Sequence, residues 1–234
     1  MHPFPTISII IPVLYEAHDI NVCLEALFTR FPEESFEVIT VDGDAERTTI
    51  RQIGHPKVIT LCAPRGRGKQ MNAGANAATG EILIFLHADT RLPHNALSRV
   101  REVMEDKQYV AGAFTLRFES QRQVFALIAR AASWRYRLTR LPYGDQAFFM
   151  SRKYFHEIGG FAEIPIMEDV DMMRRIRERG ERVSILHEAV TTSPRRWEKD
   201  GILYSVVRTW VLAFLFAFGA DPVKLAKYYR PHTK

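Results

Sequence analysis

A chain of 234 residues, 47% apolar and 25% charged, has the composition of an ordinary globular protein with a core of normal size. Its two cysteines, Cys23 and Cys62, have no metal-like spacing and make no disulfide framework, so free thiols and a cytoplasmic location are expected. Net charge is +5, which Arg122, Arg130, Arg135, Arg137 and Arg140 supply in full with no acid between residues 120 and 144; that balance suits nucleic acid, anionic lipid or a phosphate-bearing substrate and ranks none of them.

In chain order, "MHPFPTISII" lacks the basic start and long apolar run of a secretory signal, so none is expected. Apolar, β-branched runs at 6–14, 36–41, 57–62 and 81–86 predict strands, separated by amphipathic stretches near 19–30, 45–53 and 67–79. Strand and helix alternating at this spacing imply a parallel sheet with helices on both faces, and continuous apolar runs imply strands buried on both sides. Pro93 opens a helix over roughly 93–106, and 109–118 reads as a further strand. Beyond it, 121–139 reads as helix, 146–150 as a short strand and 151–160 as a short helix closed by Gly159 or Gly160. "MEDVDMMRRIRERG" is a helix ending at Gly180 with Asp171 and Arg175 as an i,i+4 pair, and "ERVSIL" is a late strand. The expectation is one α/β domain, residues 1–200, with a helical tail over 201–234.

Two nucleotide motifs fail. A P-loop would need Ser or Thr where Gln70 stands and glycine where Ala63 stands, and the dinucleotide fingerprint breaks at Met71. "PRGRGKQMNAG" remains, a glycine loop with Arg65, Arg67 and Lys69 between a strand and a helix: either a phosphate-facing turn or a flexible basic one. Glu16, Asp42, Asp44 and Asp89 all fall at predicted strand ends, the edge where open α/β sheets bind ligands. Singly, each reads as a cap or turn residue; together at one edge they read as a site.

The blocks "SIIIPVLYEA", "VITVDGD", "GRGKQMNAGANAATGEILIFLHADT" and "GDQAFFMSRKYFHEIGGFAEIPIMEDVDMMRRIRERG" resemble, in order, those of family-2 glycosyltransferases of the GT-A fold, over roughly residues 6–187. The chain looks most like a small single-domain subgroup with His-Ala-Asp in place of Asp-x-Asp, of the arsenosugar-biosynthesis or radical-SAM-selenodomain-associated type. The resemblance implies a Rossmann-like, mostly parallel central sheet. It also implies inverting, metal-assisted transfer of a sugar from a UDP- or GDP-linked donor to a small-molecule or lipid-linked hydroxyl, a hexosyltransferase-like activity (EC 2.4) without nucleic acid.

By the same resemblance, Asp89 holds Mg²⁺ or Mn²⁺ against the donor diphosphate, with His87 beside it as second ligand or ribose contact. Pro12, Glu16, Asp42 and Asp44 line the nucleotide pocket, Glu16 on the ribose and an aspartate on the base, while Arg67 and Lys69 approach the diphosphate. Asn72 and Gly74 match an Asn-x-Gly that lets a helix start close to the sheet. Glu168 and Asp169 supply the catalytic base, Asp169 being the usual one; read without the family, they complement a helix dipole. Asp145 and Gln146 fall where sugar or acceptor is contacted, as do Arg196 and Trp197, although Ser193 departs from the glutamine of processive synthases.

In the tail, Ile202, Leu203, Val206, Val207, Trp210, Val211, Phe214, Leu215 and Phe218 make one apolar helical stripe. The uncharged run between Arg208 and Asp221 is twelve residues, short of the ~20 needed to span a bilayer. Either a membrane surface, peripheral on its inner face, or a homodimer would use such a stripe, and Lys224, Lys227 and Arg230 follow it. Two other functions compete: a nucleotidyltransferase, which would release pyrophosphate, and a non-catalytic membrane- or nucleic-acid-binding module.

Overall fold

The computed structural model describes residues 6–139 and 144–229, with side chains described outside 133–139 and Arg196. Arg140 and Arg230 therefore lie outside the described residues, and Arg135 and Arg137 are placed in backbone only.

Eight strands form one sheet: β1 (Ile7–Val13), β2 (Phe36–Asp42), β3 (Val58–Cys62), β4 (Ile82–Phe85), β5 (Thr90–Arg91), β6 (Ala111–Phe118), β7 (Phe149–Ser151) and β8 (Val183–Thr192). Their spatial order is β3-β2-β1-β4-β7-β6-β8-β5. The first four run parallel, β7 is antiparallel to both β4 and β6, β6 and β8 are parallel, and β5 returns antiparallel to β8. Every residue of β1 is buried, as a central strand covered on both faces requires. β3 departs from that expectation. It lies at one edge of the sheet, and Ile59 is exposed despite its apolar run.

Alternate residues of β1 feed two cores. Ile7, Ile9, Ile11 and Val13 face α1 (Ala17–Arg30) and α3 (Ala96–Glu105) through Leu24, Leu27, Leu97 and Val100. Ile10, with Ile39 and Val41 of β2, faces α2 (Arg67–Ala77), α5 (Arg152–Glu157) and α6 (Glu168–Glu178) through Met71, Phe155 and Met172. The result is a helix–sheet–helix sandwich. Gly74 sits where α2 touches the sheet: a Cβ there would lie 2.5 Å from Cγ2 of Ile10. Closeness of α2 to β1 therefore depends on that glycine.

After β6 come α4 (Gln123–Thr139), α7 (Arg195–Asp200), α8 (Ile202–Ala217) and α9 (Pro222–Ala226), with a 3₁₀ turn at Gly144–Gln146 before β7. The predicted helix over 45–53 is reduced to a 3₁₀ turn, Ile50–Gln52. The carboxylates of Asp42 and Asp44 capture the amides of Asp44, Glu46, Thr48, Thr49 and Ile50, which a helix would need for itself. β8 is longer than its sequence signal because "HEAVTT" continues pairing with β6 beyond a register shift between Ala113 and Thr115.

Candidate functional site

The carboxyl ends of β1, β2 and β4 meet the N-termini of α1, α2 and α6. Pro12 shares the parity of Ile10, whose carbonyl accepts from Leu86 on the β4 side. Its missing N–H thus points past the end of β4, where no ladder partner is required. Tyr15 turns the chain at φ 60°, and Glu16 follows as the N-cap residue of α1, its amide donating to Oγ1 of Thr49 at 3.1 Å.

Asp42 is fully buried. One oxygen accepts from the Asp44 amide at 2.9 Å, the other from the Thr49 and Ile50 amides at 3.1 and 3.2 Å. Asp44 accepts from Oγ1 of Thr48 at 2.6 Å and from the Glu46 amide at 3.2 Å. The two aspartates shape the loop that walls the end of β2. Gln70 forms its floor: buried, it donates through Nε2 to the carbonyls of Val13 (2.8 Å) and Val41 (2.9 Å), tying β1 to β2 beyond their ladder. In the sequence Gln70 figures only as a mismatch to the P-loop.

Arg67, the first residue of α2, is the centre of the arrangement. Its Nε donates to Glu168, its Nη2 stands 3.7 Å from Oδ2 of Asp169, and its Nη1 lies 3.5 Å from Nε2 of His87. One guanidinium thus joins the turn after β4 to the first turn of α6. Burial works against its charge, but Glu168 and then Asp169 outweigh burial and raise its pKa. Glu168 is sealed, at 1% side-chain exposure, whereas Asp169 retains 16%. Asp169 is therefore the carboxylate open to a ligand, and its Oδ1 accepts from the Val170 amide at 2.8 Å. Met167 precedes them at φ 69°, turning the chain sharply into α6. The segment before it is held to α2: Asn72 exchanges two hydrogen bonds of 2.9 Å with the backbone of Phe161. The expected Asp171–Arg175 pair forms at 2.8 Å, and Arg175 also donates to the carbonyls of Ile158 and Gly160. Lys69 lies in the first turn of α2, half-buried.

Asp89 lies two residues beyond His87, on the side of α1. Burial pushes its carboxyl upward; a 3.2 Å hydrogen bond from Thr90 opposes this, Asp19 adds to it and Arg195 lessens it. Arg195, at the start of α7, pairs with Asp19. Cys23 is behind this wall, its thiol pushed up to about 12 by burial, then by Asp89 and Glu16. Asp19 and Arg195 carried no distinguishing pattern in sequence; only the return of β8 beside β5 brings residue 195 to residue 19.

The remaining predicted residues lie around these two groups. Gln146 is buried and donates to the Phe114 carbonyl at 3.0 Å, and Asp145 is half-buried beside it in the 3₁₀ turn. Trp197 packs edge-on against Phe118 at 5.6 Å, at the margin of the first core. The Arg196 side chain lies outside the described residues. Among the described residues no three His, Cys, Asp or Glu side chains gather to hold a metal ion by themselves. Asp89 suits a cation shared with phosphate oxygens, as Mg²⁺ is commonly bound by one or two carboxylates plus substrate phosphates. His87 turns Nε2 toward a guanidinium, a poor neighbour for a second cation on that nitrogen.

A mostly parallel sheet with an acid-rimmed carboxyl edge, completed by an antiparallel return, is the GT-A architecture. Residues 8–163 match the model of glycosyl transferase family 2, and the chain belongs to that family. It is similar to glycosyltransferase AglE of Haloferax volcanii, 32% identical over 98 residues, covering 38% of this chain and 32% of that protein. It is also similar to a putative polypeptide N-acetylgalactosaminyltransferase 10 of Caenorhabditis briggsae, 27% identical over 197 residues, 68% of this chain and 31% of that protein. The chain spans about a third of the length of these curated relatives. Among solved structures it resembles mannosyltransferase PcManGT from Pyrobaculum calidifontis, in complex with GDP-Man and Mn²⁺. The TM-score is 0.63 and identity 20%, over 80% of this chain and 56% of that one.

Proposed function

We propose that the protein is an inverting glycosyltransferase that moves a sugar from a UDP- or GDP-linked donor to a hydroxyl of a small-molecule or lipid-linked acceptor. Residues 1–200 form its catalytic domain, and the activity is of the hexosyltransferase type (EC 2.4). One observation carries the reading: Arg67 joins the turn holding His87 to the Glu168–Asp169 pair. Groups suited to a diphosphate and a group suited to a proton thus share one cluster.

In this reading Asp169 accepts the proton of the acceptor hydroxyl, which is a poor nucleophile until a positioned carboxylate takes it. Glu168 stays on Arg67 and holds it in place. Arg67, Lys69 and the N-terminus of α2 receive the diphosphate as its bond to the sugar breaks. Glu16 faces the ribose, and the Asp42–Asp44 loop with Pro12 encloses the base. Asp145, Gln146, Arg196 and Trp197 border the sugar and acceptor. A divalent ion, Mg²⁺ or Mn²⁺, held by Asp89 would supply charge neutralisation for the departing diphosphate. That the solved neighbour is in complex with GDP-Man and Mn²⁺ supports this choice of donor and ion. The narrower subgroup reading, of the arsenosugar-biosynthesis or radical-SAM-selenodomain-associated type, stands on His87-Ala88-Asp89 alone.

The test is product analysis with UDP- and GDP-sugars and Mn²⁺. Nucleoside diphosphate is expected, and Asp169→Asn should lower kcat by about 10²–10⁴-fold with donor affinity retained. Asp89→Ala should weaken donor binding in Mn²⁺ and change little in its absence. Pyrophosphate as the product would instead establish nucleotidyl transfer.

A further inference from the structure

α8 is built with its polarity reversed. Its inner face buries Ser205, Arg208, Leu212 and Phe216, and the only charged residue of the helix is therefore on the inside. Arg208 is held there by Asp200 at 2.9 Å and lies over the rings of Tyr204 and Tyr229, at 5.2 and 5.1 Å. The opposite face carries Leu203, Val207, Trp210, Phe214 and Phe218, at spacings of four, three, four and four; Leu203 and Phe218 are each 77% exposed. Of thirteen exposed large apolar side chains among the described residues, ten fall between 203 and 228, so they form one patch, not scattered singletons. A surface helix in water places its charges outward. This one presents only apolar side chains there.

What covers the patch is indicated by its margin. On α9 and just after it, exposed Lys224 and Lys227 adjoin exposed Val223 and Tyr228, so cations stand beside apolar and aromatic groups. Asp221, the one acid of residues 201–229, caps α9 by accepting from the Val223 amide at 2.8 Å. Trp210, Tyr204 and Tyr228 are residue types that favour the boundary between headgroups and acyl chains. α8 has sixteen residues, a length of about 24 Å against the ~30 Å of a bilayer's hydrocarbon. No helix among the described residues is long and apolar enough to cross a membrane. A second copy of the chain would bring identical lysines against these, whereas anionic headgroups complement them. We propose that the outward face of α8 and α9 docks in the plane of an anionic lipid surface, apolar stripe among the acyl chains and Lys224 and Lys227 at the phosphates.

Docking needs neither donor nor acceptor, so its test is independent of glycosyl transfer. The protein is floated with vesicles of equimolar phosphatidylcholine and phosphatidylglycerol, and with phosphatidylcholine alone, while chromatography with light scattering reports its mass. Flotation with the anionic vesicles is expected, with Trp210 fluorescence shifting blue relative to a Trp210→Phe control. Phe214→Glu, an exposed position, should abolish it. Should that variant misfold, Lys224→Gln and Lys227→Gln leave the stripe intact and each should lower vesicle affinity about fivefold. Absence of flotation, or flotation indifferent to all of these substitutions, overturns the proposal. So does a dimer that Phe214→Glu dissociates in protein that does not bind vesicles.

Discussion

Arg67 serves two purposes that a pair of substitutions can separate. It pairs with Glu168, opposing the burial that raises that carboxyl, and it presents the rest of its guanidinium to His87 and Asp169. Removing one partner of such a pair strands the other, whereas replacing both with apolar groups is commonly neutral. Arg67→Met should therefore lower the melting temperature, and adding Glu168→Leu should restore it. Neither variant should regain affinity for GDP or UDP with Mn²⁺, a loss of at least about tenfold for a charge-assisted contact; calorimetric titration checks it. The sequence displayed Arg67 as a basic residue after a glycine, and Asp42 as an acid at a strand end. It did not display that Asp42 gives both oxygens to backbone amides, because those amides come from a loop whose path Asp42 itself determines.

At the scale of elements, Glu37 acts as a joint that strand periodicity conceals. Its Oε1 accepts from Oγ of Ser8 on β1 and from the amides of Thr79 (2.6 Å) and Gly80 (3.2 Å) between α2 and β4. Burial raises its carboxyl, but the hydrogen bonds from Ser8, Thr79 and Gly80 prevail and hold its pKa below the ordinary glutamate value. A depressed folded-state pKa adds stability that is fully present above the unfolded value and disappears as pH falls through the folded one. Glu37→Gln should accordingly melt lower than wild type near neutrality, and the gap should close below about pH 4.5; paired thermal melts across pH 3–7 measure it. A gap constant with pH would mean the carboxylate charge contributes nothing. The strands themselves were legible because β1, β2 and β4 are buried on both faces and say so in β-branched residues. β5, with two residues, was not, since it owes its pairing to the position of β8.

Across the whole molecule, the tail and the site share a small core of their own. Leu212, Phe216 and Leu225 pack on Ile166, with Met167, Val170 and Tyr229 around them. These residues flank Glu168 and Asp169, so α8 and α9 pack against the turn that leads into both carboxylates. The apolar stripe of α8 was readable from its spacing, but which side would face inward was not. The decisive residue is Arg208, whose partner Asp200 lies on the preceding helix. Leu212→Ala removes a buried side chain from this satellite core, and a loss of about 2–4 kcal/mol is expected for such a truncation. If α8 acts as a brace, the loss is local. Hydrogen exchange should quicken over 164–170 while β1 and β2 stay protected, and kcat should fall with donor affinity little changed. Uniform exchange across the sheet would instead mean that α8 stabilises the fold as a whole and that the direction of Asp169 is set by Arg67 and Asn72 alone.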